Sequence, residues 1–176
     1  MPEMRLAQHA DVAELRDLIA RSGRALSVGY YSTAQADAIN RYVFGVDTQL
    51  IDDQTYFVIE ESSCIFACGG CSKRRTLFGG DQLKNGPDSL LDPGLEPARI
   101  RAFFVDPSVA RRGFGRQLML TCVAAAKHAD FSSFELVSTL PGEPLYLASG
   151  FAVVERFELE LPDGVQVPVS RMKMPI

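Results

Sequence analysis

Residues Ile100–Arg116, IRAFFVDPSVARRGFGR, combine an apolar run, a proline and a basic glycine turn. Residues 100–105 are apolar apart from Arg101, which predicts a buried strand. Pro107 ends the strand because proline cannot donate to a sheet ladder. The apolar run after Arg116 predicts a helix to about residue 129. A helix start carries unpaired N–H groups and partial positive charge, so glycines and arginines there predict a phosphate site.

The turn taken alone leaves two interpretations open. It lacks the third glycine of a dinucleotide-binding turn and the Gly-Lys-Ser/Thr ending of a P-loop. An ordinary tight turn with two solvated arginines explains it as well as a phosphate site does.

The same stretch resembles the coenzyme A signature of the GNAT superfamily of N-acetyltransferases. In that signature a strand ending in V-x-P leads to (Q/R)-x-x-G-x-(G/A) at a helix start. Four positions match: Val105, Pro107, Gly113 and Gly115. Ala110 replaces the leading Gln or Arg, and Arg111 and Arg112 can supply the lost charge.

A second motif lies at residues 144–151, PLYLASGF. By itself it predicts one or two helical turns ending at a glycine cap, with Tyr146 as a packing residue. The GNAT family carries L/F-Y-x-x-x-G-F here, which Leu145, Tyr146, Gly150 and Phe151 match. The resemblance implies that Tyr146 protonates the departing coenzyme A thiolate.

The resemblance also implies acetyl-coenzyme A as the cosubstrate. Its pyrophosphate would lie on the turn formed by Arg111, Arg112, Gly113, Phe114, Gly115 and Arg116. Its pantetheine arm would pair with the strand edge at Phe103, Phe104 and Val105, where a backbone N–H could polarise the thioester carbonyl. Thr139 occupies the position of an asparagine that often contacts this arm in the family.

The substrate side is less well defined. Some family members place a glutamate base where this chain has Arg99. Alternation along a strand puts Arg99, Arg101 and Phe103 on one face. The two arginines could hold a substrate carboxylate or phosphate, or they could be solvated or paired with Glu60 or Glu96.

Two further groups of residues bear on the substrate side. Tyr30 and Tyr31 beside a glycine could line a pocket, although tyrosines more often cover the core. His9 and His128 lie at the ends of predicted helices or strands, which favours surface positions for both. No general base is therefore assigned.

The remaining sequence predicts an α+β fold. Predicted strands cover residues 4–8, 55–60, 64–72, 134–138, 151–161 and 165–174, and predicted helices cover 11–22 and 34–43. Gly23 is expected to end the first helix, and the glycine- and proline-rich segment 76–97 to form a rim or lid over the substrate. The strand–helix–strand unit around the basic turn implies a parallel pair. We therefore expect one GNAT-like domain over residues 1–176, with a mixed, mostly antiparallel twisted sheet, a central parallel βαβ unit and flanking helices.

Charge and apolar content exclude other classes. The net charge of −4 and pI of about 5.2 argue against nucleic-acid binding, which needs a basic face. No apolar run approaches the roughly 18 residues of a membrane span, and the first residues lack a signal-peptide core. We expect a cytoplasmic protein with reduced cysteines and no membrane partner.

The cysteines raise one metal hypothesis. Cys64, Cys68 and Cys71 have the spacing of iron–sulfur ligands in radical enzymes that use S-adenosylmethionine. Those enzymes need a large barrel, for which this chain is too short, so a strand is favoured. Cys122 lies in the apolar helix and no histidine has ligand spacing, so no zinc or other metal is expected.

Two functions follow from these observations. The first is an N-acetyltransferase that moves an acetyl group from acetyl-coenzyme A to a small amine or to a peptide or protein amine. The second is a non-catalytic acyl-coenzyme A-binding regulatory module, motivated by the missing glutamate and by Ala110. The acceptor, the acyl length and the oligomeric state, including a homodimer, stay open.

Overall fold

The computed structural model describes residues 1–176 and contains seven strands and five α-helices. The strands are β1 Glu3–Leu6, β2 Tyr56–Glu61, β3 Cys64–Ser72, β4 Ala98–Val105, β5 Ser133–Thr139, β6 Ala152–Glu160 and β7 Gln166–Pro175. The helices are α1 Val12–Ser27, α2 Thr33–Tyr42, α3 Thr48–Asp52, α4 Phe114–His128 and α5 Glu143–Ser149. No helix is both long enough and apolar enough to cross a membrane.

All seven strands belong to one sheet, in the order β1-β2-β3-β4-β5-β7-β6. Every neighbouring pair is antiparallel except β4 and β5. The predicted mixed sheet with a central parallel pair and flanking helices is confirmed. The interpretation of the cysteine-rich stretch as a strand is confirmed as well, because it forms β3.

Helices cover both faces of the sheet. On one face Leu15 and Leu18 of α1 pack into a core with Val58 and Phe104. On the other face the apolar stripe of α4 packs against the sheet, with Cys122 beside Ile100. Both faces of β4 are therefore buried, as the apolar run from residue 100 predicts.

The central parallel pair separates soon after it begins. β4 and β5 pair only at Ala98 with Phe134 and at Arg99 with Glu135. Beyond these residues β4 stays paired with β3 as far as Val105, whereas β5 stays paired with β7. The C-terminal halves of the two central strands diverge and leave a cleft between them.

A bulge in β4 changes which side chains reach this cleft. Ala102 has a φ of 53°, and two residues of β4 lie opposite one residue of β3 at this point. A bulge interrupts the alternation of side chains along a strand. Phe103 packs toward α4, whereas Phe104 packs toward α1 and Arg101 pairs with the residue that caps α3. The prediction that Phe103 shares a face with Arg99 and Arg101 was wrong for this reason.

The first helix is longer than predicted. Gly23 does not end α1, which continues to Ser27. A Cβ atom at Gly23 would lie 2.6 Å from Asn40 Oδ1 and 2.6 Å from a ring carbon of Phe44. Glycine at this position serves the close approach of α1 to the end of α2, rather than a helix terminus.

Candidate active site

The basic turn joins the end of β4 to α4 and leaves backbone donors free. Gly113 forms the N-cap of α4 with a φ of 87°, in the left-handed region that favours glycine. Gln117 is the first residue whose N–H donates to a carbonyl of this helix, that of Gly113, at 3.0 Å. The N–H groups of residues 114–116 are therefore available to an anion. A Cβ atom at Gly113 would meet nothing within 4 Å, so the space in front of these groups is open.

Positive charge surrounds these donors. Arg111, Arg112 and Arg116 are exposed, and the first turn of α4 contains no acidic residue. The arginine ion pairs of the protein involve other residues, so these three guanidinium groups keep their charge for a ligand. Arg112 lies 5.4 Å from the centre of the Phe114 ring. The turn has the donors and the charge that a pyrophosphate requires.

Gly115 has a different role from Gly113. A Cβ atom at Gly115 would lie 3.0 Å from a methyl carbon of Leu145 on α5. This glycine therefore lets α5 pack closely on the start of α4, which brings the two sequence motifs together in space.

The cleft between β4 and β5 lies beside the turn. It is a cavity of about 130 Å³. Four residues predicted to contact the donor or to act on it line the cavity: Phe103, Phe104, Thr139 and Tyr146. Val105 follows on β4, between the cavity and the turn.

Tyr146 faces this cavity from α5. Its ring packs against Phe103, with 6.2 Å between ring centres, and against Phe151, with 5.7 Å. Its hydroxyl has no hydrogen-bond partner in the protein. Burial raises the pKa of the phenol above its ordinary value, and the nearby Cys122 thiol raises it further. The phenol therefore carries its proton at neutral pH.

Arg101 is buried, and its charge is already balanced. It pairs with Asp47 Oδ2 at 2.9 Å and donates to the carbonyls of Thr76 and Gly79. Burial lowers the pKa of its guanidinium. Although Arg101 lines the cleft, it holds the 76–79 backbone against the sheet and leaves no unpaired charge for a substrate anion.

Arg99 lies outside the cleft lining. It pairs with Glu135 at 3.2 Å, across the last residue pair that joins β4 to β5. The expected partners of the two arginines were wrong, because Glu60 pairs with Arg5 and Glu96 pairs with Arg75. Arg99 therefore stabilises the point from which the central strands diverge.

Neither tyrosine of the α1–α2 connection lines the cleft. The Tyr31 hydroxyl donates to the Pro168 carbonyl at 2.7 Å and accepts from the Leu140 N–H at 2.9 Å. Tyr31 thus ties the end of β5 to β7, a packing role. Tyr30 is half exposed, three residues beyond Ser27, which does line the cleft.

The far wall of the cleft consists of residues that the sequence did not identify individually. It includes Ile39, Val43 and Phe44 at the end of α2, Leu77–Gly80, Leu159 of β6 and Val169 of β7. Segment 76–97 was expected to form a rim, and its residues 77–80 do form part of this wall. The segment is held by an ion pair of Lys84 with Asp47 at 2.5 Å and by Asp88, which accepts from the Thr76 N–H at 2.8 Å.

One sequence signal for the cleft was missed. A Cβ atom at Gly69 of β3 would lie 2.4 Å from a ring carbon of Phe103. Glycines inside a strand often mark a bulge or a close approach, and residues 69–70 form such a pair. The pair marks the place where the neighbouring strand bulges at Ala102.

The geometry agrees with the comparisons to known proteins. The chain matches the model of the acetyltransferase (GNAT) family over residues 14–151, and it belongs to this family. It is therefore an acyltransferase. No curated protein sequence matches the chain significantly.

Solved structures with the same fold cover nearly the whole chain. A GCN5-related N-acetyltransferase from Rhodopseudomonas palustris has a TM-score of 0.71 at 13% identity, covering 100% of this chain and 96% of that one. PaiA N-acetyltransferase from Thermoplasma acidophilum, in complex with coenzyme A, has a TM-score of 0.66 at 11% identity, covering 100% and 99%. YncA from Salmonella typhimurium, with acetyl-CoA, has a TM-score of 0.65 at 15% identity, covering 99% and 94%.

Proposed function

We propose that this protein transfers an acetyl group from acetyl-coenzyme A directly to a primary amine. One arrangement carries the proposal: the Tyr146 hydroxyl, without a protein partner, faces the cleft between β4 and β5 beside the basic turn. Family membership and the coenzyme complexes of two proteins with this fold support the donor. The regulatory-module alternative has no comparable support, because the family model that the chain matches is described as an acetyltransferase family.

The donor would bind along β4 and the turn. The pyrophosphate would accept from the N–H groups of residues 114–116 and pair with Arg111, Arg112 and Arg116. The pantetheine arm would run beside Phe103–Val105, where β4 has separated from β5. Thr139 would contact the arm from the opposite wall of the cleft.

The reaction would proceed by direct attack. The amine nitrogen forms a bond to the thioester carbonyl carbon, and the carbon–sulfur bond then breaks. Tyr146 gives its proton to the departing thiolate, which yields free coenzyme A. The nitrogen loses one proton to water, and the tyrosinate regains a proton from solvent.

Water is the proposed proton acceptor because no carboxylate or histidine lines the cleft. His9 is exposed and pairs with Asp52, and His128 is exposed at the end of α4. The apolar walls disfavour an ammonium ion, so an amine entering the cleft would lose its proton readily.

The proposal predicts one released thiol for each acetylated amine. The test incubates the protein with acetyl-coenzyme A and a panel of primary amines, measures thiol with a colorimetric reagent, and identifies the N-acetyl product by mass spectrometry. Thiol release that depends on an amine, in equal amount to the product, supports direct transfer. Thiol release without any N-acetyl product would indicate simple thioester hydrolysis and contradict the proposal.

A further inference from the structure

Apart from the β4 and α5 residues assigned to the donor, the cleft is lined by apolar side chains from six separate segments. The apolar residues of this acceptor half are Leu26, Ile39, Val43, Phe44, Leu77, Phe78, Val137, Leu159 and Val169. No acidic side chain contributes to the lining. The acceptor half therefore offers a large apolar surface and no negative charge to hold a second ammonium group.

The polar side chains of the cleft are mostly satisfied within the protein. The Ser27 hydroxyl donates to the Gly23 carbonyl, and the Ser138 hydroxyl donates to the Thr139 carbonyl. The charge of Arg101 is balanced by Asp47. An acceptor carboxylate or phosphate would lose its hydration here without meeting an unpaired cation, which is costly.

The chain segment that follows Leu26 carries exposed apolar side chains as well. Leu26, at the end of α1, lines the cleft and is 40% exposed. The next residues of the α1–α2 connection present Val28 at 79% exposure and Tyr30 at 50% exposure. Exposed apolar side chains next in the chain to a cleft-lining residue suit a ligand that is itself apolar.

We propose that the acceptor is a primary amine on an uncharged apolar body, without a carboxylate, phosphate or second ammonium group. This inference rests on the proposed function.

Matched acceptor pairs test the inference directly. 2-Phenylethylamine and L-phenylalanine share one body and differ by a carboxylate, as do isoamylamine and L-leucine. We expect kcat/KM to be at least about 100-fold higher for the member without the carboxylate, because nothing in the cleft pairs with that group. Spermidine, with further ammonium groups, should react as poorly as the amino acids do.

A variant at the rim tests the location. Leu26→Arg places an unpaired cation beside the acceptor half, so the preference for 2-phenylethylamine over L-phenylalanine should fall about tenfold. The control is Leu120→Arg on α4, because Leu120 is an apolar residue with 60% exposure outside the cleft. It should leave the preference unchanged. An equal preference in Leu26→Arg and the original protein would place the acceptor elsewhere.

The outcomes separate this inference from the proposed function. If the protein binds acetyl-coenzyme A and acetylates amino acids, polyamines or peptide N-termini as well as the apolar amines, the inference is overturned and the function stands. The inference is equally overturned if the donor binds but neither apolar amine reacts. If acetyl-coenzyme A gives no binding heat, the proposed function itself is wrong.

Discussion

Replacement of Tyr146 by phenylalanine separates its proposed chemical role from packing. The ring contacts with Phe103 and Phe151 remain in the variant, and the hydroxyl that is lost has no protein partner. The free energy of unfolding should therefore change by less than about 0.5 kcal/mol. Loss of the proton donor should lower kcat about 100-fold, which corresponds to about 2.7 kcal/mol of transition-state stabilisation.

Tyr31→Phe is the matched control. It should lower the stability of the protein and leave kcat nearly unchanged. Its hydroxyl bonds to the Leu140 N–H and the Pro168 carbonyl, so the variant leaves both groups without that partner. This loss should destabilise the protein by about 1–3 kcal/mol. The expected fall in the unfolding temperature is roughly 2–4 °C for each kcal/mol. The value of kcat should stay within about threefold, because Tyr31 does not line the cleft.

The assay measures thiol release at saturating acetyl-coenzyme A and saturating amine, with unfolding temperatures recorded by calorimetry on the same preparations. We expect a slow but stable Tyr146→Phe variant and an active but less stable Tyr31→Phe variant. An unchanged kcat in Tyr146→Phe would remove the phenol from the mechanism. Equal destabilisation by both substitutions would show that the Tyr146 hydroxyl has a structural partner.

Three further predictions concern the coenzyme site and the core. Gly69→Ala should push Phe103 of β4 into the cleft and raise KM for acetyl-coenzyme A at least about fivefold in steady-state assays. The control Gly86→Ala has open space around the new methyl group and should leave this KM unchanged. Equal KM values for the two variants would contradict the packing argument. Arg112→Ala should weaken acetyl-coenzyme A binding about 3–10-fold at low salt, and much less at 1 M salt, where the screening length is about 3 Å. Arg24→Ala is the control, because Arg24 is also exposed. An equally large loss of affinity in this control, measured by calorimetry, would refute a local charge effect. Burial raises the pKa of Tyr31 to about 12, so the folded state holds this proton while the unfolded chain releases it near pH 10. The stability that this phenol contributes is fully present below pH 10 and is lost as the pH rises toward 12. In urea unfolding, the free energy of unfolding of Tyr31→Phe should therefore fall less between about pH 10 and pH 12 than that of the original protein. An identical fall in both proteins would be inconsistent with a buried phenol.

The fold could be predicted well because its elements follow local rules. The start of α2 is an example: the Ser32 hydroxyl accepts from the Gln35 N–H at 3.2 Å and caps the helix, which begins within one residue of its predicted start. Gly150 ends α5 with a φ of 107°, in agreement with the expected glycine cap. Local capping and apolar periodicity depend on neighbours in the chain, which a sequence displays directly.

The interior of the candidate site could not be predicted in the same way. The bulge at Ala102 places an ordinary alanine in the left-handed region, and nothing in that residue signals it. The pairing of Arg101 with Asp47 joins residues far apart in the chain, so a sequence shows two charges but not their contact. The glycine turn and Tyr146 could be proposed from the sequence because each belongs to a compact motif, whereas the other walls of the cleft come from separate segments.

The strand separation links the fold to the proposed chemistry. Arg99 and Glu135 join β4 to β5 at their first residues, and the strands diverge immediately beyond this ion pair. The same divergence leaves the edge of β4 available and opens the cavity that Tyr146 faces. Under the proposed function, donor binding and acceptor access would both depend on this one feature of the sheet, with the basic turn at its end.

The central claim is that the turn before α4 holds the pyrophosphate of acetyl-coenzyme A, and a calorimetric titration tests it most directly. The titration compares the original protein with Gly113→Asp and with Gly164→Asp; both glycines have positive φ and open space, but Gly164 lies in the distant β6–β7 hairpin. We predict micromolar binding by the original protein and by Gly164→Asp, and no measurable binding by Gly113→Asp, because the new carboxylate repels the pyrophosphate. Absence of binding by the original protein, or equal binding by Gly113→Asp, would contradict the account.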